Sequence, residues 1–167
     1  MSQVMIVDND PDILVSNERL LGYILTRAHQ QYRQRMALAI EGTTLNVSQV
    51  MILARVHAHS QNREESYLTQ TRLSHITGIE KSSMVLFLDS LVKGYWVERL
   101  RHPTDRRAQV IRMTPSGAAR FREINVRLKM VEQESLSLFT DAERDHLFRQ
   151  LLRLTQHLQQ LETVTTD

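Results

Sequence analysis

Residues 69–93 read TQTRLSHITGIEKSSMVLFLDSLVK, and this stretch decides the fold. Thr69 stands where a helix N-cap residue is expected, and Gly78 interrupts the short helical pattern that follows. The spacing of apolar residues then predicts a second helix from Glu80 to Lys93. Its expected buried side consists of Met84, Val85, Leu88 and Leu91. Two helices joined by a tight, glycine-containing turn form a helix-turn-helix.

A basic hairpin is predicted directly after these two helices. Two short, β-prone runs, Trp96–Arg101 and Gln109–Met113, flank the loop His102–Ala108 (HPTDRRA). Between residues 99 and 112 the chain has five arginines against the single acid Asp105, although the whole chain has a net charge of only +2. This local excess of positive charge suits a wing that contacts phosphates. A solvated surface loop is the alternative interpretation of the same charges.

Helical patterns flank the central module on both sides. Before it, apolar spacing predicts a long helix over residues 17–40 and a short helix over Val47–His57, capped by Ser48. After it, the pair Thr114-Pro115 marks the start of a third flanking helix. The apolar positions expected within that helix are Phe121, Ile124, Leu128, Val131 and Leu138.

The last helix is predicted to start at a capping box and to carry a leucine seam. Thr140 and Glu143 have the spacing at which each satisfies a free backbone N–H group of the other. Leucines then recur in steps of four and three residues, the spacing of a helix that packs along another. These leucines are Leu147, Leu151, Leu154, Leu158 and Leu161.

The predicted fold is mainly α with a small β-hairpin wing. We expect a mobile tail at 1–16, an N-terminal dimerisation helix at 17–45, a winged helix-turn-helix module at 46–113 and C-terminal dimerisation helices at 114–163. The terminal helices carry apolar stripes that the small module has too little surface to cover. They are therefore expected to bury each other in a homodimer. An intrachain helical bundle is the alternative.

The composition excludes several classes of protein. The 167 residues contain no cysteine, so disulfides, thiolate metal sites and cysteine chemistry are excluded. No apolar run is long enough for a membrane span, and the start has no secretory pattern, so we expect a cytoplasmic protein. Gly-rich phosphate loops and nucleophile elbows are missing, so an enzyme is not expected. His57 and His59 form the only close histidine pair, without metal-ligand spacing, and neither metal nor cofactor is expected.

Four segments together resemble the MarR (multiple antibiotic resistance regulator) family. They are Leu73–Ile79 (LSHITGI), Val97–Leu100 (VERL), His102–Ala108 (HPTDRRA) and Met113–Gly117 (MTPSG). The resemblance covers roughly residues 17–162. It implies a homodimer that binds pseudo-palindromic double-stranded DNA, usually as a repressor. It also implies that a small anionic or phenolic ligand often releases the DNA.

The resemblance further implies which residues contact DNA. The helix that begins after Glu80 would lie in the major groove, and the start of the preceding helix would meet a phosphate. The wing arginines would reach the backbone or the minor groove, with Arg107 as the stronger candidate. Asp105 is expected to fix the wing, because phosphate repels a carboxylate. The predicted DNA-binding residues are Thr69, Gln70, Thr71, Lys81, Ser82, Ser83, Arg101, Arg106 and Arg107.

The sequence departs from the family pattern in the middle of the recognition helix. Leu86 stands where many relatives have an arginine. Leu86 and Phe87 cannot both face the core of an ideal helix together with Val85 and Leu88. One of them is therefore expected to face DNA, where it could touch a thymine methyl group, or to line a ligand pocket.

The resemblance also implies a small-molecule effector that binds between the dimerisation helices and the helix-turn-helix. The candidate lining residues, chosen by position, are His29, Tyr32, Arg33, Met36, Met51 and Arg55. Ordinary core and interface packing is the alternative for each of them. For the whole protein, the alternative function is a helical dimeric adaptor that binds protein partners without DNA readout. That alternative leaves the arginine-rich hairpin without a purpose.

Overall fold

The computed structural model describes residues 21–61 and 67–164, with side chains described as far as 161. The predicted tail at 1–16 and the first residues of the predicted N-terminal helix lie outside these ranges. Within them, the chain forms six helices and one two-stranded antiparallel sheet, which confirms the mainly α class with a hairpin. In chain order these are α1 (Leu21–Ala39), α2 (Val47–Gln61), α3 (Gln70–Thr77), α4 (Lys81–Lys93), β1 (Val97–Arg101), β2 (Gln109–Met113), α5 (Pro115–Ser135) and α6 (Asp141–Val164).

The core lies where α2, α3, α4, the hairpin and the start of α5 meet. Its completely buried side chains include Ile52, Leu53, Leu73, Met84, Leu88, Leu91, Val97 and Phe121. The prediction that Val85 joins the buried side of α4 is wrong, since this side chain is 39% exposed. At about 100° per residue, Val85 turns away from the line of the three buried α4 positions, and Phe87 packs against the core in its place.

The start of α2 corrects a predicted cap. Asn46 Oδ1 accepts a hydrogen bond from the Gln49 N–H at 2.9 Å, and Gln49 Oε1 accepts one from the Asn46 N–H at 3.0 Å. This reciprocal pair is a capping box, so Asn46 caps α2 and Ser48 lies inside the first turn. The helix also runs to Gln61, beyond the predicted end at His57.

The boundaries of the helix-turn-helix follow the predicted signals. Thr69 Oγ1 accepts a hydrogen bond from the Arg72 N–H, which caps α3 as predicted. Gly78 ends α3 in the left-handed conformation, with φ of 67°, where an L side chain would be strained. The short turn between Gly78 and Lys81 then places α4 beside α3.

The start of α5 is attached directly to Trp96, the residue before β1. The Thr114 N–H donates to the Trp96 carbonyl at 3.1 Å, and Thr114 Oγ1 accepts from the Gly117 N–H at 2.9 Å. Gly117 lies so close to the Trp96 backbone that a Cβ would stand 2.1 Å from the Trp96 carbonyl oxygen. The Arg120 guanidinium lies over the Trp96 ring, 3.8 Å from its centroid. The sequence MTPSG therefore serves to dock α5 against the hairpin.

The connection from α5 to α6 corrects one further prediction. α5 ends at Ser135, so Leu138 lies in the connection, 74% exposed, and does not extend the apolar stripe of α5. The predicted capping box of α6 is confirmed, because the Thr140 N–H donates to Glu143 Oε2 at 2.8 Å and the Glu143 N–H donates to Thr140 Oγ1 at 3.4 Å. The hydrogen bond from the Thr140 backbone, followed by the one from its hydroxyl, lowers the pKa of Glu143.

The terminal helices leave their apolar stripes uncovered. No residue of α1, and none of α6 as far as 161, is buried within the single chain. The exposed large apolar side chains here include Leu21, Ile24, Leu25, Leu38, Leu151, Leu152, Leu158 and Leu161. Among the described helices, none is long and apolar enough to cross a membrane.

Candidate nucleic-acid interface

A groove lies between the N-terminus of α3 and the wing. Its volume is about 660 Å³, and the residues that line it are Thr69, Gln70, Thr71, His102, Asp105, Arg106, Arg107, Ala108, Gln109 and Ile111. The two walls are held together by backbone contacts, since the Ile111 N–H donates to the Leu68 carbonyl at 2.8 Å and Thr69 forms a β-bridge with Val110. The groove thus joins the N-cap residue Thr69 and the first two residues of α3 to Asp105 and the two wing-tip arginines.

The wing loop is organised around two acceptors. His102 Nδ1 accepts hydrogen bonds from the Thr104 N–H at 3.3 Å and from the Asp105 N–H at 3.1 Å. Asp105 Oδ1 accepts from the Arg107 N–H at 2.9 Å, and the Asp105 carbonyl accepts from the Ala108 N–H at 3.1 Å. Asp105 therefore closes the loop on which the wing arginines stand.

His102 is a site residue that the sequence reasoning missed. It acts here as an Asn or Asp side chain acts in an Asx turn, accepting backbone N–H groups two and three residues further along. Its position at the start of a seven-residue loop, directly before Pro103, was the signal that could have pointed to this role.

Four of the five arginines of the hairpin divide into two groups. Arg99 forms an ion pair with Asp89 of α4 at 2.7 Å, and Arg112 forms one with Glu98 across the strands at 2.9 Å. These two arginines hold the hairpin to α4 and to itself. Arg106 and Arg107 stand at the exposed tip, and the Arg107 side chain is 96% exposed, with only a long contact of 3.9 Å to Asp105.

Arg101 lies apart from the other predicted DNA-binding residues of the wing. It lines a separate cavity of about 460 Å³ between the end of α2 and the hairpin. Its neighbours there include Val56, Tyr67 and Leu100. The structure therefore does not bring Arg101 into the groove between α3 and the wing.

The outer face of α4 presents the predicted major-groove residues. Lys81 and Ser82 are exposed in its first turn, and Ser83 is half-buried. Of the two residues that sequence reasoning left open, Leu86 faces outward and is 69% exposed, whereas Phe87 packs against the core. Asp89 also lies on the outer side, where Arg99 balances its charge.

The six predicted effector residues do not share one cavity. His29 and Tyr32 line a largely apolar groove of about 490 Å³ between α1, the end of α5 and α6, hereafter the α1–α6 groove. Arg55 lines a different cavity, between α2, α3 and α6. Met36 and Met51 pack against the hydrophobic core, and Arg33 lines neither of these two cavities.

Six of the twelve residues that line the α1–α6 groove are polar, namely His29, Gln31, Tyr32, Arg35, Glu132 and Ser135. Burial, and then the negative charge of Glu132, raises the pKa of Tyr32, so its hydroxyl remains a hydrogen-bond donor at neutral pH. Arg35, at the edge of the groove, forms an ion pair with Glu134 at 2.7 Å. Among the residues that the structure describes, no group of three or more histidine, aspartate or glutamate side chains could hold a metal ion.

A helix-turn-helix followed by a basic hairpin, with terminal helices on either side, defines a winged helix-turn-helix protein. No protein-family model matches the chain. It is similar to the uncharacterized HTH-type transcriptional regulator YwoH of Bacillus subtilis, with 28% identity over 89 residues, which are 52% of this chain and 64% of YwoH. It is also similar to the multiple antibiotic resistance protein MarR of Escherichia coli, with 35% identity over 52 residues, which are 31% of this chain and 36% of MarR. These matches span less than two thirds of either relative.

Solved structures match over most of the chain. A mutant MarR from E. coli complexed with operator DNA has 21% identity, a TM-score of 0.68, and coverage of 80% of this chain and 92% of that one. S. aureus MepR in its DNA-binding conformation has 19% identity, a TM-score of 0.73, and coverage of 83% and 98%. The resemblance to the MarR family is therefore confirmed, and the chain has the winged helix-turn-helix fold of these proteins.

Proposed function

We propose that this protein is a transcriptional regulator, acting as a repressor, that binds a pseudo-palindromic DNA operator as a homodimer. The observation that carries the proposal is the groove in which exposed Arg106 and Arg107 stand opposite the N-terminus of α3. Arginine pairs well with phosphate, and the first turn of a helix has backbone N–H groups without intrahelical acceptors. Both walls of the groove therefore suit the same ligand, a DNA backbone.

The charges around this groove support a polyanionic partner. The acidic side chains nearest to the wing are already engaged: Asp105 by the loop backbone, Asp89 by Arg99 and Glu98 by Arg112. The wing-tip arginines are left as the exposed charges of the hairpin end. A surface whose acidic side chains are paired and whose arginines are exposed attracts phosphate. Its affinity for DNA is expected to fall steeply as the salt concentration rises.

The exposed stripes of α1 and α6 support the homodimer. A fully buried leucine stabilises a protein by about 1.5–3 kcal/mol relative to an exposed one. Burying the exposed apolar residues of α1 and α6 against a second copy would therefore add a large stabilising free energy that a single chain does not gain. A second copy of the chain offers the same stripes with the same spacing. Two-fold symmetry would then place the two winged modules on half-sites about one helical turn apart.

We also propose that the α1–α6 groove receives a small aromatic or anionic effector. Its apolar lining suits a ring, and the Tyr32 hydroxyl and His29 offer polar contacts. An effector bound there would contact Leu25 and Leu151, which belong to the stripes that the second copy is proposed to cover, and so would alter the spacing of the two modules. Benzoate is a suitable first probe. It should raise the Tm of the wild-type protein and weaken its DNA binding, and Tyr32→Ala should reduce both effects.

The proposal is tested by selecting duplexes from random DNA with the purified protein at about 0.15 M salt. We expect an inverted repeat with half-sites about one helical turn apart. Enrichment of no sequence by a folded dimer would contradict the proposal and favour the adaptor alternative.

The salt dependence of binding to the selected duplex then tests the site. Replacing both Arg106 and Arg107 by alanine should make the decrease of the logarithm of the DNA association constant with the logarithm of salt concentration less steep. The slope should lose about 1.8 in magnitude per protomer, because each lost phosphate contact removes about 0.9. The matched control replaces Arg149 and Arg153 together by alanine, which removes the same two charges from exposed positions of α6 outside its leucine seam. Equal slopes for the two variants would show that the wing does not meet the backbone.

A further inference from the structure

Leu86 occupies an unusual position for a leucine. The buried stripe of α4 consists of Met84, Leu88 and Leu91, and at about 100° per residue Leu86 lies roughly opposite to it. Its side chain is accordingly 69% exposed. The positions four residues before and after it on the same face are Ser82 and Ser90, which are both exposed and uncharged.

The surroundings of Leu86 indicate what covers it. The exposed leucines of α1 and α6 lie on the terminal helices, where a second copy is proposed to bind, but Leu86 lies on the helix proposed to enter the major groove. The row formed by Ser82, Leu86 and Ser90 is uncharged, while Lys81 and Lys93 stand near its two ends. An uncharged row between cationic ends is complementary to the floor of a major groove between its two phosphate walls. The ion pair with Arg99 weakens the repulsion that Asp89 would otherwise exert there.

Resting on the proposed function, we propose that Leu86 is a specificity-determining residue that recognises a thymine in each half-site through its C5 methyl group. The major groove displays this methyl only on thymine, among the four ordinary bases. A leucine has no donor or acceptor with which to read a base edge, so apolar contact is the discrimination available to it. The preferred base pair is therefore T·A, and 5-methylcytosine shares the group that Leu86 contacts.

Removing single methyl groups from DNA tests this directly. In the selected duplex, each thymine of the half-site is replaced in turn by uracil, symmetrically in both halves, and affinity is measured by fluorescence anisotropy. For the wild-type protein we expect one position at which the substitution weakens binding about fourfold per half-site, or roughly 16-fold per duplex, the value of one buried methyl group. Leu86→Ala should lose this difference and bind the two duplexes equally. Leu86→Met, which keeps an apolar side chain of similar volume, should retain most of it.

A leucine of similar exposure provides the control. Leu138→Ala removes the same atoms from a position 74% exposed in the connection before α6, and it should leave the uracil profile unchanged. Sedimentation of each variant checks for a different occupant, because a protomer that covers Leu86 would make Leu86→Ala shift the oligomeric state. That shift would overturn the inference.

The remaining outcomes separate this inference from the proposed function. If the wild-type protein prefers the selected duplex but no uracil substitution weakens binding, the regulator stands and the thymine contact is wrong. If Leu86→Ala keeps the full uracil penalty, another residue contacts the methyl group. If the wild-type protein does not distinguish the selected duplex from a scrambled one, the proposed function fails, and the role of Leu86 fails with it.

Discussion

Replacing Gly117 by alanine tests how α5 is joined to the wing. The added Cβ would stand 2.1 Å from the Trp96 carbonyl oxygen, 2.8 Å from its carbonyl carbon and 2.9 Å from its Cα. All three are backbone atoms, so no side-chain rotation can relieve the overlap. α5 would have to move outward by roughly 1 Å before the contact became ordinary. That shift strains the hydrogen bond from Thr114 to Trp96 and the stacking of Arg120.

Two effects of opposite sign act in this variant. Alanine is better than glycine in a helix by up to about 1 kcal/mol, which alone would stabilise the protein. Overpacking a close contact costs about 1–3 kcal/mol, and an overlap with rigid backbone belongs at the upper end. We therefore expect Gly117→Ala to lower the free energy of unfolding by about 2 kcal/mol. For a chain of this length, this corresponds to a fall in Tm of roughly 4–8 °C.

Urea and thermal unfolding measure the difference, with Gly22→Ala as the matched control. Gly22 lies in α1, where an added Cβ would meet nothing within 4 Å, so only the gain in helix propensity remains. This control should be unchanged or slightly more stable than the wild-type protein. A Gly117→Ala protein as stable as the Gly22→Ala protein would refute the argument that close approach to Trp96 requires the glycine.

Three further predictions concern the wing, the start of α6 and the seam. His102→Ala should weaken operator binding by about tenfold in anisotropy titrations, since two loop hydrogen bonds of about 0.5–1.5 kcal/mol each are lost, and His102→Asn, which keeps an acceptor, should restore most of it. Glu143→Ala should lower the Tm at neutral pH. Because the folded state lowers the pKa of Glu143, the difference should shrink as the pH falls through that pKa; a constant difference would contradict the assignment. Leu158→Asp should shift sedimentation towards monomer at unchanged helix content, and an unaltered dimer would place the interface elsewhere.

The elements that could be predicted from the sequence are those that adjacent residues determine. Thr69, Gly78 and the pair Thr114-Pro115 each act on backbone groups within a few residues, and the structure has the element boundaries that they predict. The observed bounds of β2 also agree with the predicted ones, because the Arg-rich loop ends directly before β2 and Thr114 caps the next helix directly after it. The cap of α2 could have been found in the same way, since Asn46 and Gln49 have capping-box spacing and Ser48 does not.

The errors occur where the outcome depends on helix phase or on packing in three dimensions. The exposure of Val85 follows from how α4 is rotated against the core, and a list of apolar residues does not fix that rotation. Leu138 was misplaced because no glycine or proline marks the end of α5. His102 becomes an acceptor only when the loop closes on it. The effector candidates were chosen along two helices, but the cavities depend on where α6 lies, and His29 and Arg55 line cavities against different parts of α6.

The central claim is that the face formed by α3, α4 and the wing binds one DNA sequence in preference to others. The most direct test is the ratio of affinities for the selected duplex and for a scrambled duplex of equal length and composition, at about 0.15 M salt. We expect a ratio of at least about 10³. The variant without Arg106 and Arg107 should bind both duplexes more weakly and approach the same ratio. Equal affinities for the two duplexes would contradict it.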